Sequence, residues 1–198
     1  MLPSSLKNLI DQLSKLPEIG PRAANRLPFF LLNQEDDYLK NLAQAIKELK
    51  SKTKICSNCF NLSSDSLCSI CADPKRNKNI ICLVEDILDI LPIERTKQYQ
   101  GVYHILGGLI APTEGITPEK LHIKELIQRI KSSQKPSQIE VILAFNPTTE
   151  GDTTALYLER VLKPLNIKIT RLGRGLSTGS DLEYTDETTL INALLGRK

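Results

Sequence analysis

The stretch Cys56–Cys71 reads CSNCFNLSSDSLCSIC and holds four of the five cysteines, in two C-x2-C pairs separated by eight residues. Each pair presents two thiolates from one tight turn, and four thiolates close a tetrahedron around Zn2+ with no position left for a substrate. Free thiols or disulfides are the alternative, but a reducing cytosol disfavours disulfides. The spacing therefore predicts a structural zinc site at Cys56, Cys59, Cys68 and Cys71.

The bulk composition is that of an ordinary globular protein, with 198 residues, 40% hydrophobic and 25% charged. No run approaches 18 apolar residues, and the amphipathic N-terminus lacks the apolar core of a signal peptide, so we expect a cytoplasmic protein without a membrane partner. The net charge of +3 is too small to establish nucleic-acid binding. Residues 1–55 nevertheless carry nine Lys/Arg against six Asp/Glu, so the basic surplus is N-terminal. Lys75, Arg76 and Lys78 add a basic cluster after the cysteines.

Three helices are predicted before the cysteines. Apolar residues at helical spacing over 6–16 follow a serine cap at residue 4 or 5. Pro21 suits the first turn of a second helix, in which Pro28 should cause a kink. A third helix is expected over 39–49.

The segment LPEIGPRAANR, residues 16–26, joins the first two helices and predicts a phosphate-binding hairpin. The turn at Gly20 exposes backbone N–H groups at a helix N-terminus, and Arg22 and Arg26 lie one helical turn apart on one face. These groups suit a nucleic-acid backbone rather than base edges. Glu18 stands where such hairpins usually have glycine, and its carboxylate would repel a phosphate. The alternative is a plain helical turn with solvated arginines.

After the cysteines, β-branched runs alternate with helical patterns, which predicts βαβ units around a mainly parallel sheet. Strands are expected over 80–84, 102–106, 139–144 and 167–170, and helices over 121–130, 153–162 and 185–195. Cys82, inside the first of these runs, is expected to be a small core residue.

Acidic residues follow two of the predicted strands. Glu85 and Asp89 come after the first, and the loop NPTTEGD carries Glu150 and Asp152. Ligand sites in open α/β sheets collect at such strand ends, and the acids could share a weakly held Mg2+. The alternative is that they cap helix N-termini, where negative charge is favoured.

These features, together with the run GRGLSTGSDLEYTDETTL at 173–190, closely resemble the RecR family of bacterial recombination mediators in order and length. The resemblance implies an α/β protein with a helix-hairpin-helix region in 1–54, a C4 zinc finger in 55–79, a Toprim domain in 80–175 and an oligomerisation segment in 176–198. It also implies a ring-like homo-oligomer, either a dimer or a tetramer.

The same resemblance implies a role in DNA repair and homologous recombination at the nucleoid. The protein would bind single- and double-stranded DNA without sequence preference and act with RecO-like and RecF-like proteins to load a recombinase. In related Toprim enzymes a D-x-D pair stands where this chain has Asn146 and Thr148, so the metal clamp for phosphoryl transfer is incomplete and we expect no enzymatic activity. No P-loop is present either.

Two other functions stay open at this point. One is a Mg2+-dependent nuclease or primase-like enzyme that uses the four acids, and the other is a zinc-ribbon adaptor that contacts only proteins. His104 and His122 have no recognisable partner in the sequence, and we expect both to be structural or solvent-exposed.

Overall fold

The computed structural model describes residues 2–133 and 136–197. The chain divides into two compact units, residues 1–53 and 54–198, which are considered separately here. None of the helices in the described ranges is long and apolar enough to cross a membrane.

The first unit consists of helices α1 (Ser4–Leu13), α2 (Pro21–Leu32) and α3 (Asp36–Lys52). Leu6 of α1 and Ala24 of α2 are buried, whereas α3 buries no residue. The N-cap of α1 is Pro3, which offers no side-chain hydrogen bond, so the predicted serine cap is wrong.

Helix α1 is also shorter than predicted, because the amides of residues 15 and 16 turn back to the carbonyls of residues 12 and 13. These tighter bonds end the α-helical pattern. Leu16 therefore lies in the connecting turn. Pro28 is buried inside α2, and the helix continues beyond it to Leu32.

The second unit begins with a module formed by the two-stranded antiparallel pair β1 (Lys54–Ile55) and β2 (Leu62–Ser63) and the short helix α4 (Ser69–Ala72). We call residues 54–73 the four-cysteine module. The rest of the unit alternates strands and helices in this order: β3 (Asn77–Val84), α5 (Ile90–Arg95), β4 (Gly101–Ile105), α6 (Ile123–Lys131), β5 (Glu140–Ala144), α7 (Thr149–Leu162), β6 (Lys168–Arg171) and α8 (Glu187–Leu195).

Strands β3 to β6 form one sheet in the order β4-β3-β5-β6, and every neighbouring pair is parallel. The predicted α/β class with a parallel sheet is therefore confirmed. The larger core packs one face of the sheet against α6 and α7, through residues such as Leu126, Ile130 and Leu158. Cys82 is buried in a second core cluster, as expected for a small core residue.

Helix α7 begins at Thr149, four residues before the predicted start at 153. The reason is a side-chain cap, because Thr148 Oγ1 accepts a hydrogen bond from Gly151 N at 3.0 Å. Glu150 and Asp152 consequently belong to the first helical turn rather than to a loop.

Candidate metal centre and nucleic-acid interface

The four-cysteine module brings its thiols into one buried cluster. Cys56 and Cys59 come from the turn between β1 and β2, while Cys68 caps α4 and Cys71 lies within it. The four Sγ atoms all lie within 4.8 Å of one another, and Cys59 Sγ and Cys68 Sγ are 3.5 Å apart. A Zn–S bond of roughly 2.3 Å requires tetrahedron edges of about 3.8 Å. The cluster thus fits a zinc ion in size and in donor type.

Two N–H donors contact sulfur atoms of the cluster. Cys71 N lies 3.5 Å from Cys68 Sγ, and Asn58 Nδ2 donates to Cys71 Sγ at 3.6 Å. The pKa of Cys71 is lowered to about 5, chiefly because Cys59 donates a hydrogen bond to it, with a smaller contribution from the positive charge of Arg129. The pKa of Cys59 is raised by its hydrogen bond to Cys71, and burial raises the pKa of Cys68. The metal-free cluster therefore favours a thiolate at Cys71, and zinc binding would release protons from Cys59 and Cys68.

The module is attached to the sheet by polar and aromatic contacts. Ile105 N, at the end of β4, donates to Cys59 O at 2.9 Å. Arg129 Nη1, on α6, donates to Tyr103 O at 2.7 Å and to Asn58 O at 3.3 Å. Arg129 was not predicted as a contact residue, because an arginine in the last turn of an amphipathic helix is usually exposed to solvent.

The two histidines lie beside these contacts. His104 is fully buried, and its Nε2 lies 2.8 Å from His122 O. His122 is half-buried, with Nδ1 3.0 Å from Ile105 O, and its ring stacks on Phe60. Both histidines therefore make internal contacts.

The structure divides the four predicted acidic residues between different surroundings. Glu85 and Glu150 line one cavity of about 280 Å3, together with Asn146, Thr148 and Glu114. Burial raises the pKa of Glu85, and the neighbouring charges of Asp89 and Asp86 raise it further. Glu114, which reaches this cavity from the 3-10 helix Pro112–Glu114, carried no signal in the sequence.

Asp89 and Asp152 are engaged elsewhere. Asp89 Oδ2 accepts a hydrogen bond from Asp86 N at 2.9 Å in a capping box, so Asp89 has the helix-capping role that is the alternative to metal binding. Asp152 accepts bonds from Arg174 at 2.7 and 3.1 Å and pairs with Arg171 at 3.2 Å. These arginines, Arg174 above all, hold the pKa of Asp152 below its usual range. Within the described part of the chain, the cysteine cluster is the only group of three or more potential ligands with atoms within 4.8 Å of one another.

The hairpin of the first unit presents its cationic groups to solvent. Gly20 is the N-cap of α2, the first turn of α2 holds no acidic residue, and Arg22 and Arg26 are exposed. The left-handed conformation of this turn falls on Glu18, at φ 64°, and not on Gly20, at φ −70°.

The predicted basic cluster after the cysteines does not include Arg76, which is paired with an acidic residue. Its guanidinium forms a two-pronged ion pair with Glu94 and also donates to Tyr99 O at 3.1 Å. Only 15% of its side chain is exposed, so Arg76 is not available to a polyanion.

Family models match most of the chain in consecutive segments. They are described as RecR helix-hairpin-helix over residues 6–50, RecR four-cysteine zinc finger domain over 53–73, Toprim domain over 79–173 and RecR C-terminal over 175–198. A protein named Recombination protein RecR from Thermosynechococcus vestitus is 50% identical over 98% of this chain and 94% of its own length. The chain belongs to the RecR family.

Two further relatives carry the same name. The protein from Cutibacterium acnes is 47% identical over 100% of this chain and 96% of its own length, and that from Myxococcus xanthus is 43% identical over 100% and 99%. The resemblance found in the sequence is therefore confirmed. The match to the zinc-finger model and the thiol cluster together indicate zinc as the metal of this RecR-family chain.

Proposed function

We propose that this chain is a non-enzymatic, DNA-binding subunit of a ring-like homo-oligomer that acts in recombinational repair. With RecO-like and RecF-like partners it would help to load a recombinase on single-stranded DNA. The observation that carries the proposal is the open N-terminus of α2 with exposed Arg22 and Arg26, inside the segment matched by the helix-hairpin-helix model.

The N-terminus of α2 suits a phosphate backbone. The first hydrogen bond at the start of α2 runs from Ala24 N to Gly20 O, so the N–H groups of the two preceding residues point out of the helix end. Such groups bind anions, and Arg22 and Arg26 add charge that is independent of base sequence. Neither guanidinium has an ion-pair partner among the residues that the structure describes.

Exposed apolar residues in both units support self-association. Helix α3 leaves Ile46 and Leu49 67% and 66% exposed, and α8 leaves Leu194 and Leu195 62% and 78% exposed. Large apolar side chains that one helix leaves exposed together are candidates for burial in a protein interface. A closed ring of more than two copies needs two interface patches on each chain, and α3 and α8 offer one candidate each.

The residues around the cavity that Glu85 and Glu150 share disfavour an enzymatic function. Asn146 and Thr148 are neutral, and the Thr148 hydroxyl is occupied in capping α7. Neutral side chains are poor magnesium ligands. A Mg2+-dependent nuclease remains the second candidate because Glu85 and Glu150 share a cavity. Its test is nicking of supercoiled DNA in Mg2+ or Mn2+, which Glu85→Ala should abolish if such an activity exists.

The deciding experiment measures DNA binding of the Arg22→Ala, Arg26→Ala double variant over a series of salt concentrations. Affinity should fall about equally on unrelated sequences, and the slope of log K against log salt should become shallower by up to about 2. Lys120→Ala, Lys124→Ala removes two exposed positive charges from the second unit and is the matched control. Equal binding by the two double variants at low salt would contradict the hairpin assignment, and no binding by wild type would favour a protein-only adaptor.

A further inference from the structure

Arg129 is a partly buried cation without a carboxylate. Its guanidinium donates to Tyr103 O and Asn58 O, and within residues 2–133 and 136–197 no carboxylate oxygen pairs with it inside 4.0 Å. A guanidinium stays protonated in proteins, so the cost of desolvating this charge must be offset by another anion.

The cysteine cluster is the group beside Arg129 that can supply such an anion. Arg129, Asn58 and Cys71 line the same cavity of about 410 Å3. Asn58 connects the two groups. Its backbone carbonyl accepts a hydrogen bond from Arg129 Nη1, and its side-chain amide donates one to Cys71 Sγ. Burial lowers the pKa of Arg129, and the negative charges of Cys71, Cys59 and Cys56 oppose that shift. Four thiolates around Zn2+ leave a net negative charge next to this cation.

We propose that Arg129 is a positioning residue for the metal centre: it supplies the countercharge of the zinc-bound thiolates and holds the turn between Cys56 and Cys59, which contains Asn58, against β4. The proposal rests on the zinc assignment to the cysteine cluster. It couples metal occupancy in the four-cysteine module to docking of that module on the sheet, because one side chain serves both.

The coupling predicts that the loss of Arg129 has a larger effect on the metal-loaded protein than on the metal-free protein. Replacing the guanidinium by a neutral amide leaves the negative centre uncompensated, and outer-shell changes of this kind lower metal affinity about 10- to 100-fold. In metal-free protein the thiols carry less charge and Arg129 loses its main partner. The same substitution should then cost less stability than in zinc-loaded protein, although the hydrogen bonds to Tyr103 O and Asn58 O are lost in both states.

The test compares wild type with Arg129→Gln, using Arg160→Gln as control because Arg160 is an exposed arginine of α7. Zinc content is measured first, and the zinc dissociation constant then follows from competition with a chromophoric chelator. The melting temperatures of the zinc-loaded and metal-stripped proteins are compared for each variant. Cobalt(II) in place of zinc adds a spectroscopic readout, the thiolate-to-cobalt charge-transfer band. Loss of a nearby positive charge raises the energy of the thiolate electrons, so this band should move to longer wavelength.

The expected result is a 10- to 100-fold weaker zinc affinity for Arg129→Gln, a red-shifted cobalt band and a smaller melting-temperature gain on zinc loading, with Arg160→Gln unchanged. Affinity and band position equal to those of Arg160→Gln would overturn the proposal. Wild-type protein without zinc would instead refute the zinc assignment itself.

Arg129→Lys provides a second variant should Arg129→Gln fail to fold. A lysine keeps the positive charge beside the thiolates but lacks the planar fork that donates to Tyr103 O and Asn58 O, so zinc affinity and the cobalt band should stay close to those of wild type while the melting temperature falls. A 10- to 100-fold loss of zinc affinity in Arg129→Lys would show that the positive charge does not stabilise the thiolates, and would overturn the proposal.

Discussion

The rings of Phe60 and His122 stack almost in parallel, with centroids 3.7 Å apart and an interplanar angle of 8°. Phe60 follows the first cysteine knuckle, and His122 precedes α6, so this pair joins the four-cysteine module to the sheet domain. His122 is held in place by the hydrogen bond between Nδ1 and Ile105 O. Because a carbonyl only accepts, His122 carries its proton on Nδ1.

The Phe60–His122 pair should therefore contribute a measurable coupling energy. In a double-mutant cycle with Phe60→Ala and His122→Ala, we expect about 0.5–1.5 kcal/mol of coupling in the free energy of unfolding of zinc-loaded protein. The measurement is chemical denaturation of the four proteins at equal zinc content. Additive single effects would mean that the rings are neighbours without mutual stabilisation.

His104 should make stability fall at acid pH. Its Nε2–H donates to His122 O, and its Nδ1 is buried without a partner in the described structure. Burial lowers the pKa of His104 to about 4, with the charges of Arg129 and His122 acting in the same direction. Since the unfolded chain binds this proton near pH 6.5, stability is full above that pH and falls, by up to about 3 kcal/mol, as pH drops towards 4.

His104→Gln retains a donor for His122 O but cannot titrate, so it should lose less stability than wild type over this range. The comparison is urea unfolding at several pH values between 7 and 4, with zinc content checked at each, because acid also releases metal from thiolates. Parallel curves for the two proteins would show that His104 does not contribute to the acid sensitivity.

The elements that could be predicted from sequence are those with local signals. The C-x2-C spacing is a local signal, and so is the alternation of apolar strands with helical patterns, whose strands pair in parallel as expected. The early start of α7 also has a local cause, the N-cap residue Thr148. The helical spacing of apolar residues begins only later in the segment, and the predicted start at 153 follows that spacing.

The grouping of the acidic residues could not be predicted, because it depends on chain segments far apart. Asp152 and Arg174 are separated by 22 positions and meet only through the path of the chain after β6. Arg129 and Asn58 are separated by 71 positions. A carboxylate at a strand end has the same sequence pattern whether it faces a cavity or an arginine.

Gly151 should not tolerate a side chain. A Cβ atom at this position would lie 2.1 Å from Asn146 O, so the turn between β5 and α7 would have to move. We expect Gly151→Ala to lower the free energy of unfolding by about 2–3 kcal/mol, a typical cost of forced overpacking. Gly173→Ala is the matched control, since nothing lies within 4 Å of its Cβ position, and should be neutral or slightly stabilising. Similar melting curves for both variants would contradict the close approach.

Glu18 combines a strained backbone with an unfavourable charge in the hairpin. It adopts φ 64°, a conformation that costs a residue with a side chain roughly 1–2 kcal/mol and costs glycine almost nothing. Its carboxylate lies two residues before Gly20 at the proposed phosphate site. Glu18→Gly should therefore raise the free energy of unfolding by about 0.5–1 kcal/mol, the strain relief being partly offset by the greater entropy of glycine in the unfolded chain.

The same variant should bind DNA several-fold more tightly at low salt, because it removes a negative charge from the surface that faces phosphate. Glu18→Gln separates the two effects: it removes the charge but keeps the strained side chain, so it should show the gain in DNA affinity without the gain in stability. Affinity and stability are measured on the same preparations by salt-dependent binding and by denaturation. If neither variant binds DNA more tightly than wild type, the Glu18 carboxylate does not face the phosphate backbone, and the DNA path across the hairpin must avoid this turn.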